Sequence, residues 1–143
     1  MIHFYDKNRK IVMELSNFSF DDEQEQKIRF SSSISYAPYK AFQYIEDYKV
    51  YFEDLLKELN LLYLNKIKIA KFRPIERQLE IYLKQLDFGS IAVSIRLNYL
   101  DVDNFSHSMY ESALEINYEI EQSFLPELIA DISAVLANVN QTR

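Results

Sequence analysis

The sequence predicts an α+β fold, a single antiparallel sheet of about six strands with two helices covering one face. Apolar residues alternate with polar ones at period two over most of the 143 residues, and twice the period lengthens to three and four. The alternating runs are joined by short polar turns, which favours antiparallel pairing over the long crossovers that parallel strands need. No repeat, low-complexity tract or linker divides the chain, so residues 1–143 are expected to form one domain.

The elements follow in order. Ile11 to Phe20 is rich in apolar residues and ends at Asp21, Asp22, Glu23, Gln24 and Glu25, an acidic connection between two antiparallel strands. The second strand puts Ile28, Phe30, Ser32, Ile34 and Tyr36 inward and Arg29, Ser31, Ser33 and Ser35 outward. Pro38 interrupts the chain, and Tyr39 to Ile45 reads as a third strand, placed at an edge because proline removes a ladder donor. From Asp47, a candidate N-cap, the spacing of Tyr48, Phe52, Leu55, Leu56, Leu59 and Leu62 predicts a helix over 48–63.

Lys66 to Phe72 alternates again, with Lys66, Lys68 and Lys71 as a basic outer edge, and Pro74 stops it. Leu79, Ile81 and Leu83 then face inward, with Glu80, Tyr82 and Lys84 outward. Asp87, Phe88, Gly89 and Ser90 form the turn, Gly89 taking the positive φ. The next strand has Ile91, Val93, Ile95, Leu97 and Tyr99 inward, and with its predecessor makes a hairpin. Asp101 to Met109 reads as a polar connection. In the last strand Leu114, Ile116, Tyr118 and Ile120 alternate with Glu115, Asn117, Glu119 and Glu121. Ser123 is placed to cap a closing helix with Pro126 in its first turn, and the tail from Asn138 is expected to fray.

Composition removes several function classes. There is no cysteine, so disulfide frameworks, thiolate metal sites and cysteine nucleophiles are excluded. A single glycine excludes the Gly-rich phosphate cradles, which need several for close backbone approach. The N-terminus lacks a basic region followed by an apolar one, and no run approaches a membrane span, so a cytoplasmic protein without membrane association is expected. Net charge is -6, and residues 101–143 hold 8 acidic side chains against 1 basic, a local -7. This tail half would repel a phosphate backbone, which argues against nucleic acid as a partner. It is suited to attracting a basic protein surface.

Constellations for chemistry are sparse. His3 and His107 are far apart and read as surface residues. Asp101 to Asn104 fails as a calcium loop, because Ser106 stands where glycine is needed and Ser112 where a bidentate Glu belongs. Glu119 and Glu121 share a strand face with no apolar pocket to raise a pKa, so a solvated acidic row is expected in place of a catalytic pair. No catalytic residue, cofactor or metal is assigned. Tyr39, Phe42, Tyr44, Tyr82 and Tyr110 fall where they could face outward, and exposed aromatics beside acidic residues are typical of a protein interface.

Three segments carry a family resemblance. The helix motif Phe52-x-x-Leu55-Leu56-x-x-Leu59, the strand opening Gly89-Ser90-Ile91-Ala92-Val93 and the junction Phe124-Leu125-Pro126-Glu127-Leu128 occur in an order of elements that resembles the immunity proteins of bacterial polymorphic-toxin systems. The nearest group is the Wap-type immunity family, found also beside contact-dependent growth inhibition toxins. The resemblance implies a non-enzymatic protein that binds a cognate toxin C-terminal domain, commonly a nuclease with a basic cleft, and blocks its active site or an essential surface. It carries over no individual binding residue. On charge and exposure the candidate toxin contacts are the row Glu115, Asn117, Glu119 and Glu121, the loop Asp21, Asp22, Glu23 and Glu25, and Tyr110. The alternative is an α+β carrier enclosing a small molecule in an apolar cavity. The oligomeric state is left open.

Overall fold

The computed structural model describes residues 1–21, 26–103 and 108–141, with the main chain alone at 100–103, 108–111 and 139–141. Its strands are β1 (Ile2–Tyr5), β2 (Ile11–Asp21), β3 (Lys27–Tyr36), β4 (Tyr39–Tyr48), β5 (Ile69–Phe72), β6 (Leu79–Gln85), β7 (Ser90–Asp103) and β8 (Ser108–Glu121). The helices are α1 (Lys49–Tyr63) and α2 (Leu125–Gln141). The class is α+β as expected, but the strands form two antiparallel four-stranded sheets, ordered β1-β2-β3-β4 and β5-β6-β7-β8, and not one six-stranded sheet.

The division has a physical cause. Helix α1 carries the chain out of the first sheet after β4, so β4 pairs with β3 alone and β5 opens a new ladder with β6. Two helices about 10 Å across span roughly 20 Å, enough to cover about four strands spaced 4.8 Å apart. A continuous eight-stranded sheet would leave much of its apolar face wet. Two sheets sharing one helix pair do not: α1 packs on β4 and β5, α2 packs on β1 and β2, and the helices pack on each other.

Aromatic rings make the junction. Phe52 of α1 meets Phe30 of β3 edge-on at 5.3 Å and Phe72 of β5 at 4.7 Å. Phe18 stacks on Phe30 at 5.4 Å and completes the cluster. Phe18 reaches inward from a bulge in β2, where the register shifts between Ser16 and Ser19 and Asn17 takes a positive φ of 56°. A second contact joins the sheets, Tyr36 of β3 against Tyr118 of β8 at 6.2 Å.

Several local expectations change. Strand β1 was not anticipated: four residues are too few for a periodic signal, although Ile2 and Phe4 are fully in the core. Strand β4 runs to Tyr48 because its ladder with β3 continues to the pair Lys27–Tyr48, which moves the start of α1 beyond Asp47. Asp47 is therefore not the N-cap; the first helical amide, of Lys49, donates instead to the Gln26 carbonyl at 2.9 Å. At the other end Asn65 adopts a positive φ, and the amides of Asn65 and Lys66 donate to the carbonyls of Leu62 and Leu61, closing the helix.

Ser31 is buried where an outward position was expected, opposite the larger Tyr44 in register. In β5 it is Ala70 and Phe72 that are buried while Ile69 faces solvent beside Lys71, and Lys66 and Lys68 precede the strand. The β6–β7 turn keeps Gly89 at positive φ and adds Phe88 there, its ring wholly exposed. Tyr99 is exposed, because β7 and β8 run on as a ladder past the core to the pair Asp103–Ser108, turning most of the expected 101–109 connection into strand. Ser123 lies in a 3-10 turn two residues ahead of α2 and donates to Glu121, so it does not cap. Helix α2 extends to Gln141, past the point where fraying was expected. His3 is not a free surface residue: its amide donates to Asp131 at 3.1 Å and its ring lies 3.4 Å from the Glu14 carboxylate. His107 lies outside the described residues.

Replacing Phe52 with alanine is expected to destabilise the protein by about 3–5 kcal/mol, the usual cost of emptying a fully buried phenylalanine site. Chemical denaturation checks this, with exposed Leu64→Ser as a control that shifts stability by no more than about 0.5 kcal/mol.

Candidate toxin-binding surface

The acidic row is geometrically real. Glu115, Asn117, Glu119 and Glu121 are all exposed on one face of β8, the edge strand of the second sheet. Alternation puts them about 6.8 Å apart along the strand. Behind them in register stand Arg96, Ser94, Ala92 and Ser90 of β7, so one cation backs the row, at Glu115. Ser94 Oγ donates to Glu115 Oε1 at 3.4 Å, and Ser123 Oγ to Glu121 Oε2 at 3.5 Å. A groove of about 500 Å³ lined by Ile69, Tyr82, Lys84, Asn117 and Glu119 runs alongside.

Of the loop cluster only Asp21 is described, and it sits elsewhere. Asp21 closes β2 in the first sheet, 3.8 Å from Arg29, which is itself bonded to Glu46 at 2.8 Å. That hydrogen bond holds the Glu46 carboxyl below its ordinary pKa and the Arg29 guanidinium above its own. Asp22, Glu23 and Glu25 lie outside the described residues, as does the side chain of Tyr110. The row on β8 and Asp21 thus belong to different sheets.

Of the outward aromatics, Tyr39, Phe42 and Tyr44 are exposed and Tyr82 is half-buried. Tyr44 is 75% exposed and meets Phe42 edge-on at 5.0 Å, on the outer face of β4, whose far edge has no strand beside it. These two rings flank a groove of about 1210 Å³ between the sheets. Its opposite wall is polar and ordered. Asn98 donates to Glu80 Oε2 at 3.3 Å and accepts from Arg96 Nε at 2.9 Å, while Arg73 Nε is 4.0 Å from Glu80.

Sequence reasoning missed the corner beside this groove. Asp47 is 6% exposed, facing inward in the same strand row as Ile45. Its Oδ1 accepts from the Tyr48 amide at 2.8 Å, and Oδ2 has no hydrogen-bond partner. Its pKa is raised from 3.8 to about 6, chiefly by burial, with the Tyr48 amide opposing the shift and Glu76 adding to it. Extending the period of Gln43 and Ile45 by one step would have revealed Asp47 as inward. Among the described residues no three His, Asp or Glu side chains converge as metal ligands. None of the described helices is long and apolar enough to cross a membrane.

A model of the Immunity protein WapI-like family matches residues 4–140, nearly the whole chain. The protein belongs to the WapI-like immunity family. Searches of curated proteins and of solved structures return no match. Membership implies a toxin as partner, and immunity families of this kind are generally non-enzymatic. It agrees with the resemblance carried by the α1, β7 and α2 segments.

Asp47 supplies a test of the corner. A carboxyl whose pKa is raised in the folded state stabilises the fold fully below its unfolded value, and that contribution is lost as pH rises through the folded value. Wild type is expected to lose stability relative to Asp47→Asn between about pH 4 and pH 6.5, with a constant difference above. Thermal melts of both proteins across that range check it; parallel curves would refute the burial account.

Proposed function

We propose that this WapI-family protein acts in the cytoplasm as a toxin inhibitor, binding the C-terminal domain of a polymorphic or contact-dependent growth inhibition toxin. It covers the active site or an essential surface of that domain, a nuclease, and performs no chemistry of its own. The observation that carries the nuclease reading is the exposed acidic row on the β8 edge, Glu115, Glu119 and Glu121 around Asn117. A nuclease must present cations to bind its phosphate substrate, and an array of carboxylates about 6.8 Å apart complements such a cleft. Asp21, at the end of β2, offers a second acidic contact on the other sheet, and Tyr110 on β8 belongs to the same edge as the row. The inward rows on the two sheets pack with the helices into one core cluster, which favours the immunity reading over the carrier alternative.

Co-expression with the C-terminal domain of the protein encoded immediately upstream tests the reading, scored by growth rescue and co-purification. The double charge reversal Glu115→Lys/Glu119→Lys is expected to slow association about tenfold or more at low salt, with the difference shrinking as salt rises. Stopped-flow mixing measures this. Unchanged association rates would remove the row from the interface, and an unchanged melting temperature certifies that the variant is folded.

A further inference from the structure

Asp47 of β4, in the first sheet, and Gln78, just ahead of β6 of the second, line the same small cavity, of about 280 Å³, together with Lys27, Glu46, Tyr48 and Glu76. Asp47 Oδ2 and Gln78 Oε1 are both buried acceptors without a hydrogen-bond partner. A buried acceptor left unpaired costs about 1–3 kcal/mol, more when it is charged. Two of them in residues lining one cavity at a junction of sheets mark a place where a donor is missing.

We propose that this inter-sheet cavity is a socket for one arginine side chain of the bound toxin domain, its guanidinium donating to Asp47 Oδ2 and Gln78 Oε1. The proposal rests on the immunity reading and names the contact through which that reading works at this corner. Four observations converge on arginine. Both free groups are acceptors, and a guanidinium carries five donors in a planar fork with no acceptor to leave unsatisfied. Three carboxylates line the cavity against one ammonium, Lys27, which lies 3.7 Å from Glu46 Oε1. The Tyr48 ring, 40% exposed, stands at the lining where a guanidinium can stack on it. The volume suits a single side chain, while the adjoining groove of about 1210 Å³ shares Glu76 and Gln78 and, walled by Phe42 and Tyr44, receives the backbone segment that bears the arginine.

Both oxygens are shielded in the free protein, so the guanidinium reaches them as the side chain of exposed Glu76 swings aside on its own torsions. The unpaired carboxylate destabilises the free protein and is relieved on binding. A central, desolvated charge pair of this sort sets the dissociation rate, whereas exposed rim charges set association.

The experiment has two arms. In the first, wild type, Asp47→Asn and Gln78→Leu are melted and then titrated with the toxin C-terminal domain encoded immediately upstream. Asp47→Asn is expected to melt higher than wild type at neutral pH yet bind about 30-fold or more weakly, chiefly through faster dissociation, with a smaller loss for Gln78→Leu. A structural role alone moves stability and leaves affinity untouched. Wild-type binding that survives Asp47→Asn within about twofold overturns the socket and leaves the immunity reading standing. Failure of wild type to bind overturns the reading, and with it the toxin as occupant.

The second arm needs no toxin. N-acetyl-arginine methylamide is titrated into isotopically labelled protein while the Tyr48 backbone amide and Gln78 side-chain amide resonances are followed. Saturable shifts at both, absent with N-acetyl-norleucine methylamide and absent in Asp47→Asn, are expected. Unmoved resonances at both groups overturn the socket.

Discussion

The packing of one aromatic ring, Phe52 of α1, against both sheets is the contact around which the two halves of this molecule are arranged. Phe52 touches Phe30 of the first sheet and Phe72 of the second, with Phe18 and Tyr51 packed beside them on the same rings. A four-stranded sheet with one wet apolar face is not stable alone, so each sheet depends on the helix that the other also uses. The consequence is geometric. Because both sheets close on α1, the edge of β4 is brought against the start of β6, and the grooves, the Asp47 corner and the paired rings of Phe42 and Tyr44 all lie along that seam.

The seam and the β8 edge use charge in opposite ways. The glutamates of β8 stand in water, where screening within about 10 Å makes them nearly neutral for stability and effective only in steering an approaching partner. Asp47 is shielded, and its interaction with any donor is correspondingly larger. Retaining an unpaired carboxylate in that position works against the fold. Such local costs concentrate where a surface has work to do in a complex.

Much of this was legible beforehand in the alternation of single strands. The rows Ile91 to Leu97 and Leu114 to Ile120 are inward as read, because a half-buried strand has to repeat at period two. The α1 stripe of Phe52, Leu55, Leu59 and Leu62 is buried for the same kind of reason at period 3.6. The errors cluster where an element ends. Asp47 has the residue type and place of a cap, since the pairing of Lys27 with Tyr48 is invisible in one strand's sequence, and Tyr99 has the period of a core residue, since a strand can outrun the helix that covers it.

The sequence by itself determined the faces of α1 and of the strand rows Ile91 to Leu97 and Leu114 to Ile120, the family, the lack of thiol and phosphate-cradle chemistry, and the acidic β8 row, since each depends on residue type and spacing along one segment. Tertiary structure alone decided that the strands divide into two sheets, that β8 is an edge, and that Asp47 and Gln78 share a cavity. Those outcomes depend on which ladders close and on how much sheet two helices can cover, and both are contacts between segments far apart in the chain.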